Sequence, residues 1–245
     1  MFHFRGFSLY HDNSSLKIGT DSILLASVIP MENLQSVLDI GCGCGVIAFC
    51  LAYRIGNTHK KHPETGPDIR ITGIDIDRDS ILEANANKEM FPHYRNMQME
   101  FLEDSLQNFA ANHNAGYDLI VSNPPYFHNS LKPAESRNRK SKHGDENLSL
   151  HDLYRGIYQL LTDNGQCYLI LPPETQEKFQ NLTAGKLFPA YQWDIYAYPG
   201  KMSRMISCYT KRPTSVLGRE DICIRDEKLD FTVKYQDITR PFYLW

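Results

Sequence analysis

Apolar residues in this chain form short continuous runs, and between the runs they recur every three or four positions. The continuous runs predict buried strands, and the spaced ones predict helices. Strands are predicted at Ser36–Ile40, Ile69–Asp75, Met97–Leu102, Tyr117–Ser122 and Gln166–Leu171. The first helix carries Ile23, Leu24, Leu25 and Val28 on its apolar positions. Thr20 is placed to cap it, Asp21 suits its first turn and Pro30 ends it. Further helices are predicted at Val46–Tyr53, from a cap at Asp77 to Lys88, at Leu148–Leu161 with Gly165 near its exit, and at Glu174–Lys186. Tyr191–Tyr198 and Met205–Thr210 predict two strands joined by Pro199-Gly200. Alternating aromatics in residues 2–18 suggest a small hairpin. The polar stretch from Gly56 to Asp68 and the cationic one from Phe127 to Asn147 are expected as loops. Residues 216–245 are expected to add one or two strands and a return segment.

This alternation predicts an α/β domain, with a mostly parallel sheet of seven strands, helices on both faces and an antiparallel edge hairpin. A single domain over 1–245 is expected. It divides into an N-terminal hairpin and helix (1–30), a core (31–215) and a C-terminal strand extension (216–245). Lysine plus arginine number 26 against 29 acids, a net charge of −3. That excludes a uniformly basic nucleic-acid protein but leaves room for a local basic patch. No apolar run reaches the ~18 residues of a membrane span. The start, Met1 to Arg5, lacks the apolar core of a signal peptide. Six cysteines, Cys42, Cys44, Cys50, Cys167, Cys208 and Cys223, lie mostly in apolar segments, as expected for reduced, buried thiols in a cytoplasmic protein. Cys42-Gly43-Cys44 lacks a second ligand pair at metal-site spacing, so no metal is expected.

Two motifs carry the chemistry. Asn123-Pro124-Pro125-Tyr126 follows a predicted strand, at the end of the sheet where open α/β folds place their sites. The Asn123 amide oxygen and the Pro124 carbonyl would form an acceptor pair for an NH2 group, and Tyr126 could stack on a flat substrate. Asp39-Ile40-Gly41-Cys42-Gly43-Cys44-Gly45 sets three glycines at alternate positions between a strand and a helix. Its spacing is G-x-G-x-G rather than the G-x-G-x-x-G of a pyrophosphate loop. Asp39 would repel phosphate and attract the sulfonium and ammonium of S-adenosylmethionine. Asp75 ends the second strand, where an acid binds ribose hydroxyls. It stands later than the usual spacing, and the 56–68 insertion accounts for the delay. Asp104 could accept from the cofactor's adenine amine or be a solvated acid. Asp77 reads as a helix cap.

In this order the motifs resemble those of the class I amino-methyltransferases, with their Rossmann-like fold. Leu16-Lys17-Ile18-Gly19-Thr20-Asp21-Ser22-Ile23-Leu24-Leu25 resembles the N-terminal signature of bacterial tRNA(Val) adenine-N6-methyltransferases. So do the basic segment up to Lys142-His143, Leu148-Ser149-Leu150, and Phe242-Tyr243-Leu244. The resemblance implies S-adenosylmethionine as cofactor and methylation of adenosine 37 beside the anticodon. It implies catalytic roles for Asn123, Pro124 and Tyr126. Cofactor contacts are implied for Lys17, Thr20, Asp39, Gly41, Gly43, Gly45, Asp75, Asp104, Ser105 and Asn123.

A flipped-out base in a single-stranded loop suits such a pocket. Arg137, Arg139, Lys140 and Lys142 are expected to meet tRNA phosphates, helped by Lys132. Lys201, Arg204, Lys211, Arg212 and Arg219 form a second cationic stretch. No catalytic histidine is required, because the alkylated amine can lose its proton to water. A monomer is expected. The alternative is a glutamine N5-methyltransferase acting on a release factor, whose substrate is also a planar NH2. The roughly 35 residues before the first core strand are too few for the recognition domain such enzymes carry.

Overall fold

The computed structural model describes residues 1–32, 34–59, 68–124, 148–215, 217–243 and 245. Two short strands, β1 (Phe2–His3) and β2 (Ser8–Leu9), precede helix α1 (Thr20–Val28). Strand and helix then alternate through β3 (Ser36–Ile40), α2 (Val46–His59), β4 (Ile69–Asp75), α3 (Arg78–Met90), β5 (Met97–Glu103), α4 (Leu106–Asn112), β6 (Tyr117–Ser122), α5 (Leu150–Leu160), β7 (Leu161–Leu171) and α6 (Pro173–Thr183). Strands β8 (Phe188–Tyr198) and β9 (Lys201–Thr210) follow in succession. β10 (Gly218–Cys223) and α7 (Val233–Thr239) come last.

One sheet has the order β10-β8-β9-β7-β6-β3-β4-β5. All its pairings are parallel except those of β9, which is antiparallel to β7 and β8. The sheet therefore has eight strands rather than seven. The hairpin β8–β9 is not its edge, because β10 from the C-terminal extension pairs parallel to β8 beyond it.

β3, β6 and the C-terminal half of β7 are buried on both faces, which is why they read as nearly continuous apolar runs, whereas β4 and the edge strand β5 alternate apolar and polar positions. Alternation along β3 sends Val37 to one face and Leu38 and Ile40 to the other. The first face packs under α1, α2, α3 and α7 through Ile23, Phe49, Ile81 and Tyr235. The second packs under α4, α5 and α6 through Phe109, Leu153 and Phe179.

Several boundaries depart from expectation. α2 runs on through Gly56 to His59 instead of stopping at Tyr53. Gly56 is there because the ring of Tyr94 lies against it; a Cβ would stand 2.3 Å from that ring. Only residues 60–67 of the expected loop lie outside the described residues. Gly165 sits within β7, at the bulge between β6 and β7, and not after a helix. The C-terminal extension supplies one strand, β10, as expected, and then a helix, α7, that was not; α4 is likewise an additional helix. Thr20 is the first residue of α1, whose N-cap is Gly19 with extended backbone and no side-chain cap. At the other end of α1, the Arg54 guanidinium donates to the carbonyls of Ala26 (2.6 Å) and Ile29 (2.8 Å). A cation placed there suits the negative end of the helix.

Candidate active site

The chain leaves β3 for β4 and β5 on one side, then returns to β6 and β7 on the other. The carboxyl ends of β3 and β6 thus flank the crevice where strand order reverses, the usual ligand site of such sheets. Asp39 and the glycine loop stand at the end of β3, Asp75 ends β4 and Asn123 follows β6.

The loop is held by its neighbour. Gly41 and Cys42 both donate N–H to the Ile74 carbonyl, at 2.8 and 3.0 Å. Gly41, Gly43 and Gly45 have φ of +68°, +55° and +83°, a region closed to residues with a Cβ at little cost. The space beside Gly41 and Gly43 is open, whereas Gly45 is pressed against Phe49 and Phe101. The first two glycines therefore border a cradle, and the third serves internal packing.

Two carboxylates meet this loop. Asp75 accepts from the Gly43 N–H through Oδ2 (2.8 Å) and from the Asp77 N–H through Oδ1 (2.9 Å). Each oxygen keeps a second lone pair for another donor. Burial raises the Asp75 pKa against these hydrogen bonds. Asp39 is fully buried. Its Oδ2 accepts from the Ala48 N–H at 3.2 Å, and its Oδ1 has no partner. Burial pushes its pKa up to about 7; the Ala48 N–H opposes that shift and the charge of Asp75 adds to it. An orphaned buried carboxylate oxygen beside an open glycine cradle suits a cationic ligand.

Asn123 is buried, and its side-chain NH2 donates to Ser22 Oγ of α1 at 3.1 Å. The preceding Ser122 hydroxyl is tied to the Ile40 carbonyl at 2.7 Å. These contacts join the ends of β6, β3 and α1 at one place. Pro124 is the last described residue of the turn. Pro125, Tyr126 and the cations Lys132, Arg137, Arg139, Lys140 and Lys142 lie outside the described residues.

Other predicted contacts are engaged elsewhere. The Lys17 ammonium donates to the carbonyls of His11, Asp12 and Ser14, so it clamps its own loop. Thr20 is exposed in the first turn of α1. Ser105 Oγ caps α4 by accepting from the Asn108 N–H at 3.1 Å. Asp104 does lie beside Asp75, whose carbonyl receives its N–H at 3.0 Å, while its Oδ1 accepts from Asn108 Nδ2. The Asp77 carboxylate accepts from the Ser80 hydroxyl and makes no cap to the helix backbone.

Three of the five cations of the second stretch face acids that are distant in sequence. Arg204 pairs with Asp21 at 2.8 Å, Lys211 with Asp163 at 3.9 Å, and Arg219 forks onto the buried Asp194.

Sequence reasoning missed Ser22, Glu83 and Asn87. The buried Glu83 carboxylate accepts from the N–H groups of Asp12, Asn13 and Ser14 and from the Ser14 hydroxyl. Asn87 accepts from the Tyr10 N–H and donates to the carbonyls of Tyr10 and Cys44. Together they lash residues 10–14 to α3 and to the glycine loop. Ser22 carried a signal, because it lies within the N-terminal signature; the other two carried none.

A doubly wound sheet with a glycine loop after its first core strand, an acid ending the second and an Asn-Pro turn after the fourth defines a class I methyltransferase. The methyltransferase small domain model matches residues 13–140. A tRNA1(Val) (adenine(37)-N6)-methyltransferase of Parabacteroides distasonis is 31% identical, covering 99% of this chain and 97% of that relative. Counterparts of the same name from Bacteroides fragilis and Photorhabdus laumondii are 29% and 28% identical; they cover 99% and 100% of this chain and 97% and 95% of their own. Among solved structures, one described as "a predicted O-methyltransferase" from Agrobacterium tumefaciens superposes with a TM-score of 0.65 at 16% identity, over 91% of this chain and 96% of the other. Ribosomal protein L11 methylase from Lactobacillus delbrueckii gives 0.51 at 18% identity, over 78% and 77%. The chain belongs to the methyltransferase small domain family and, within it, to the tRNA1(Val) (adenine(37)-N6)-methyltransferases. It is an S-adenosylmethionine-dependent methyltransferase. Among the described residues no helix is long and apolar enough to cross a membrane.

Proposed function

We propose that this chain methylates the N6 amine of adenosine 37 in tRNA1(Val). What supports the reading most is Asn123, a buried amide held at the carboxyl end of β6, beside the glycine cradle, in a chain alignable over its whole length with enzymes of that name. S-adenosylmethionine supplies a methyl group already activated by its sulfonium. Asp39, Gly41 and Gly43 would hold its cationic amino-acid end, and Asp75 its ribose. Ile76, an apolar residue 60% exposed beside Asp75, offers a face for its adenine.

The substrate amine is a poor nucleophile, because its lone pair is delocalised into the ring. Hydrogen bonds from N6–H to the Asn123 amide oxygen and the Pro124 carbonyl oppose that delocalisation and stabilise the positive charge growing on nitrogen. Preorganised groups of this kind are worth about 3–4 kcal/mol each. Held by Asn123 and Pro124, the amine would stand in line with the methyl group that bound S-adenosylmethionine would supply, with the sulfide as leaving group, and the proton lost from nitrogen would pass to water. Tyr126 stacks on the base, for roughly 1–3 kcal/mol. Arg137, Arg139, Lys140 and Lys142 meet the anticodon-arm phosphates. The protein acts as a monomer in the cytoplasm.

Mass spectrometry of nucleosides from the tRNA1(Val) of cells with and without the chain tests this reading. Loss of N6-methyladenosine at position 37 on deletion is expected. An unchanged nucleoside profile, with loss of methylglutamine from a release factor, would instead establish the alternative.

A further inference from the structure

The sheet does not end evenly at the rim that carries the site. β7 stops at Leu171, level with Met205 of β9, but the β8–β9 hairpin continues past it through Tyr198 and Lys201. Ser122 is level with Leu169, and Leu169 with Ser207. Lys201 therefore stands six positions of strand beyond the level of Ser122, roughly 20 Å. Two contacts set the stem of this hairpin beside the pocket. Arg204 of β9 pairs with Asp21 of α1 at 2.8 Å, and the next residue of α1, Ser22, meets Asn123 at 3.1 Å. A polymer that delivers one base to Asn123 has the projecting hairpin along one side of its path.

An exposed ring on its own needs no explanation. Tyr198, 42% exposed, is joined by a cation and by a turn that fixes both. The Lys201 ammonium stands 5.1 Å from the ring centroid. Pro199 and Gly200, the latter at φ +78°, make the tight turn that holds Tyr198 opposite Lys201. The pair is thus ordered before anything binds, which lowers the cost of binding. From Ile195 to Met205 the hairpin carries Lys201 and Arg204 and no acid, in a chain of net charge −3. Within the second cationic stretch, Arg204, Lys211 and Arg219 face acids, and Arg212 lies past the far end of β9. Lys201 pairs with no acid among the described residues. The other cation-on-ring contact near this rim differs. Arg225, over Phe231, donates to the Leu229 carbonyl at 2.5 Å, in a segment that also holds Asp226, Glu227 and Asp230.

We propose that the tip of the β8–β9 hairpin is a second contact for the RNA substrate. Tyr198 stacks on an unpaired base outside the target pocket, and Lys201 neutralises an adjoining phosphate. The inference rests on the RNA-methylating reading of the site. It adds a positioning surface whose residues touch neither the cofactor nor the reacting amine.

Fluorescence anisotropy with a labelled tRNA1(Val) transcript tests it, alongside single-turnover methylation. Tyr198→Ala should raise the tRNA Kd roughly 5- to 150-fold, the range for one base–aromatic stack. Tyr198→Phe keeps the ring and should stay within about twofold. Lys201→Ala should flatten the slope of log Kd against log salt by about 0.7 to 1, and Lys201→Arg should restore it. The rate at saturating tRNA and the cofactor Kd should stay within about twofold in all four variants, since only RNA binding is changed. An unchanged tRNA Kd in Tyr198→Ala, or an equal loss in Tyr198→Phe, would overturn the stack. An unaltered salt slope in Lys201→Ala would overturn the phosphate contact. If the wild type binds the transcript but leaves adenosine 37 unmethylated, while Tyr198→Ala still weakens binding, the proposed reaction has failed and the RNA surface has not.

Discussion

Asp39 combines two demands that pull against each other. Binding a cationic ligand wants its charge, and its burial penalises that charge. The folded chain holds the proton up to about pH 7, whereas an unperturbed carboxyl releases it near 3.8. Folding therefore takes up a proton between these values, and this group's contribution to stability falls as pH rises through them. Asp39→Asn should accordingly raise Tm by several degrees at pH 8 and change it little near pH 4. The same substitution should weaken cofactor binding at pH 8 by about tenfold or more, the effect of losing one opposite charge at short range. In the wild type, affinity should strengthen by up to about tenfold per pH unit below 7 and level off above it. Scanning calorimetry of both proteins at pH 4 and pH 8 checks the first outcome, and calorimetric titrations of both from pH 5 to 8.5 check the other two. A flat wild-type profile would show that the cofactor does not read this charge. Asp39 was legible as a candidate because strand, acid and glycines are contiguous. The missing partner at Oδ1 was not, because it depends on what the rest of the fold fails to supply.

At the scale of elements, the segment between β2 and α1 has little regular structure of its own and is organised by one side chain. Glu83 gathers four donors, and their hydrogen bonds outweigh the burial that would raise its pKa, so the value is lowered. Its contribution is present above the unfolded pKa and disappears as pH falls through the lower folded one. Glu83→Gln should destabilise the protein by about 2 kcal/mol at pH 7, and the difference should shrink below about pH 4.5. Hydrogen exchange at Asp12, Asn13 and Ser14 should accelerate in the variant. Unaltered exchange there would show that something else anchors the segment. No sequence pattern announces this acceptor, since its partners are backbone N–H groups some seventy positions away. The core strands are the opposite case. Ser36–Ile40 and Tyr117–Ser122 were readable to the residue because burial on both faces writes itself as a nearly continuous apolar run, and Ile69–Asp75 was readable from its alternation. α2 was read too short because Gly56 looks like a breaker until Tyr94 is seen lying against it. In the C-terminal extension the expected strand is β10, while α7 was not anticipated; it is capped by Thr232, whose hydroxyl accepts from the Tyr235 N–H, and it packs against β10 and α1.

For the whole molecule, the fold's contribution is to bring distant chain segments to one rim. The carboxyl ends of β3, β4 and β6 supply Asp39, Asp75 and Asn123, and α1 reaches in from the N-terminus to hold the last. The linear order of these motifs was enough to name the family. The contact of Ser22 with Asn123, the ion pairs of Arg204, Lys211 and Arg219 and the pairing of β10 with β8 are products of tertiary structure and leave no mark in the linear sequence. The central claim is that the Asn123 amide oxygen receives the adenine amine in the transition state and does nothing for the cofactor alone. Single-turnover transfer by Asn123→Ala, read beside its S-adenosylmethionine Kd, tests this most directly. The account predicts a rate loss of about 10²–10³-fold or more, with Kd within about twofold of wild type. A rate within about tenfold of wild type, or a loss explained by weakened cofactor binding, would contradict it.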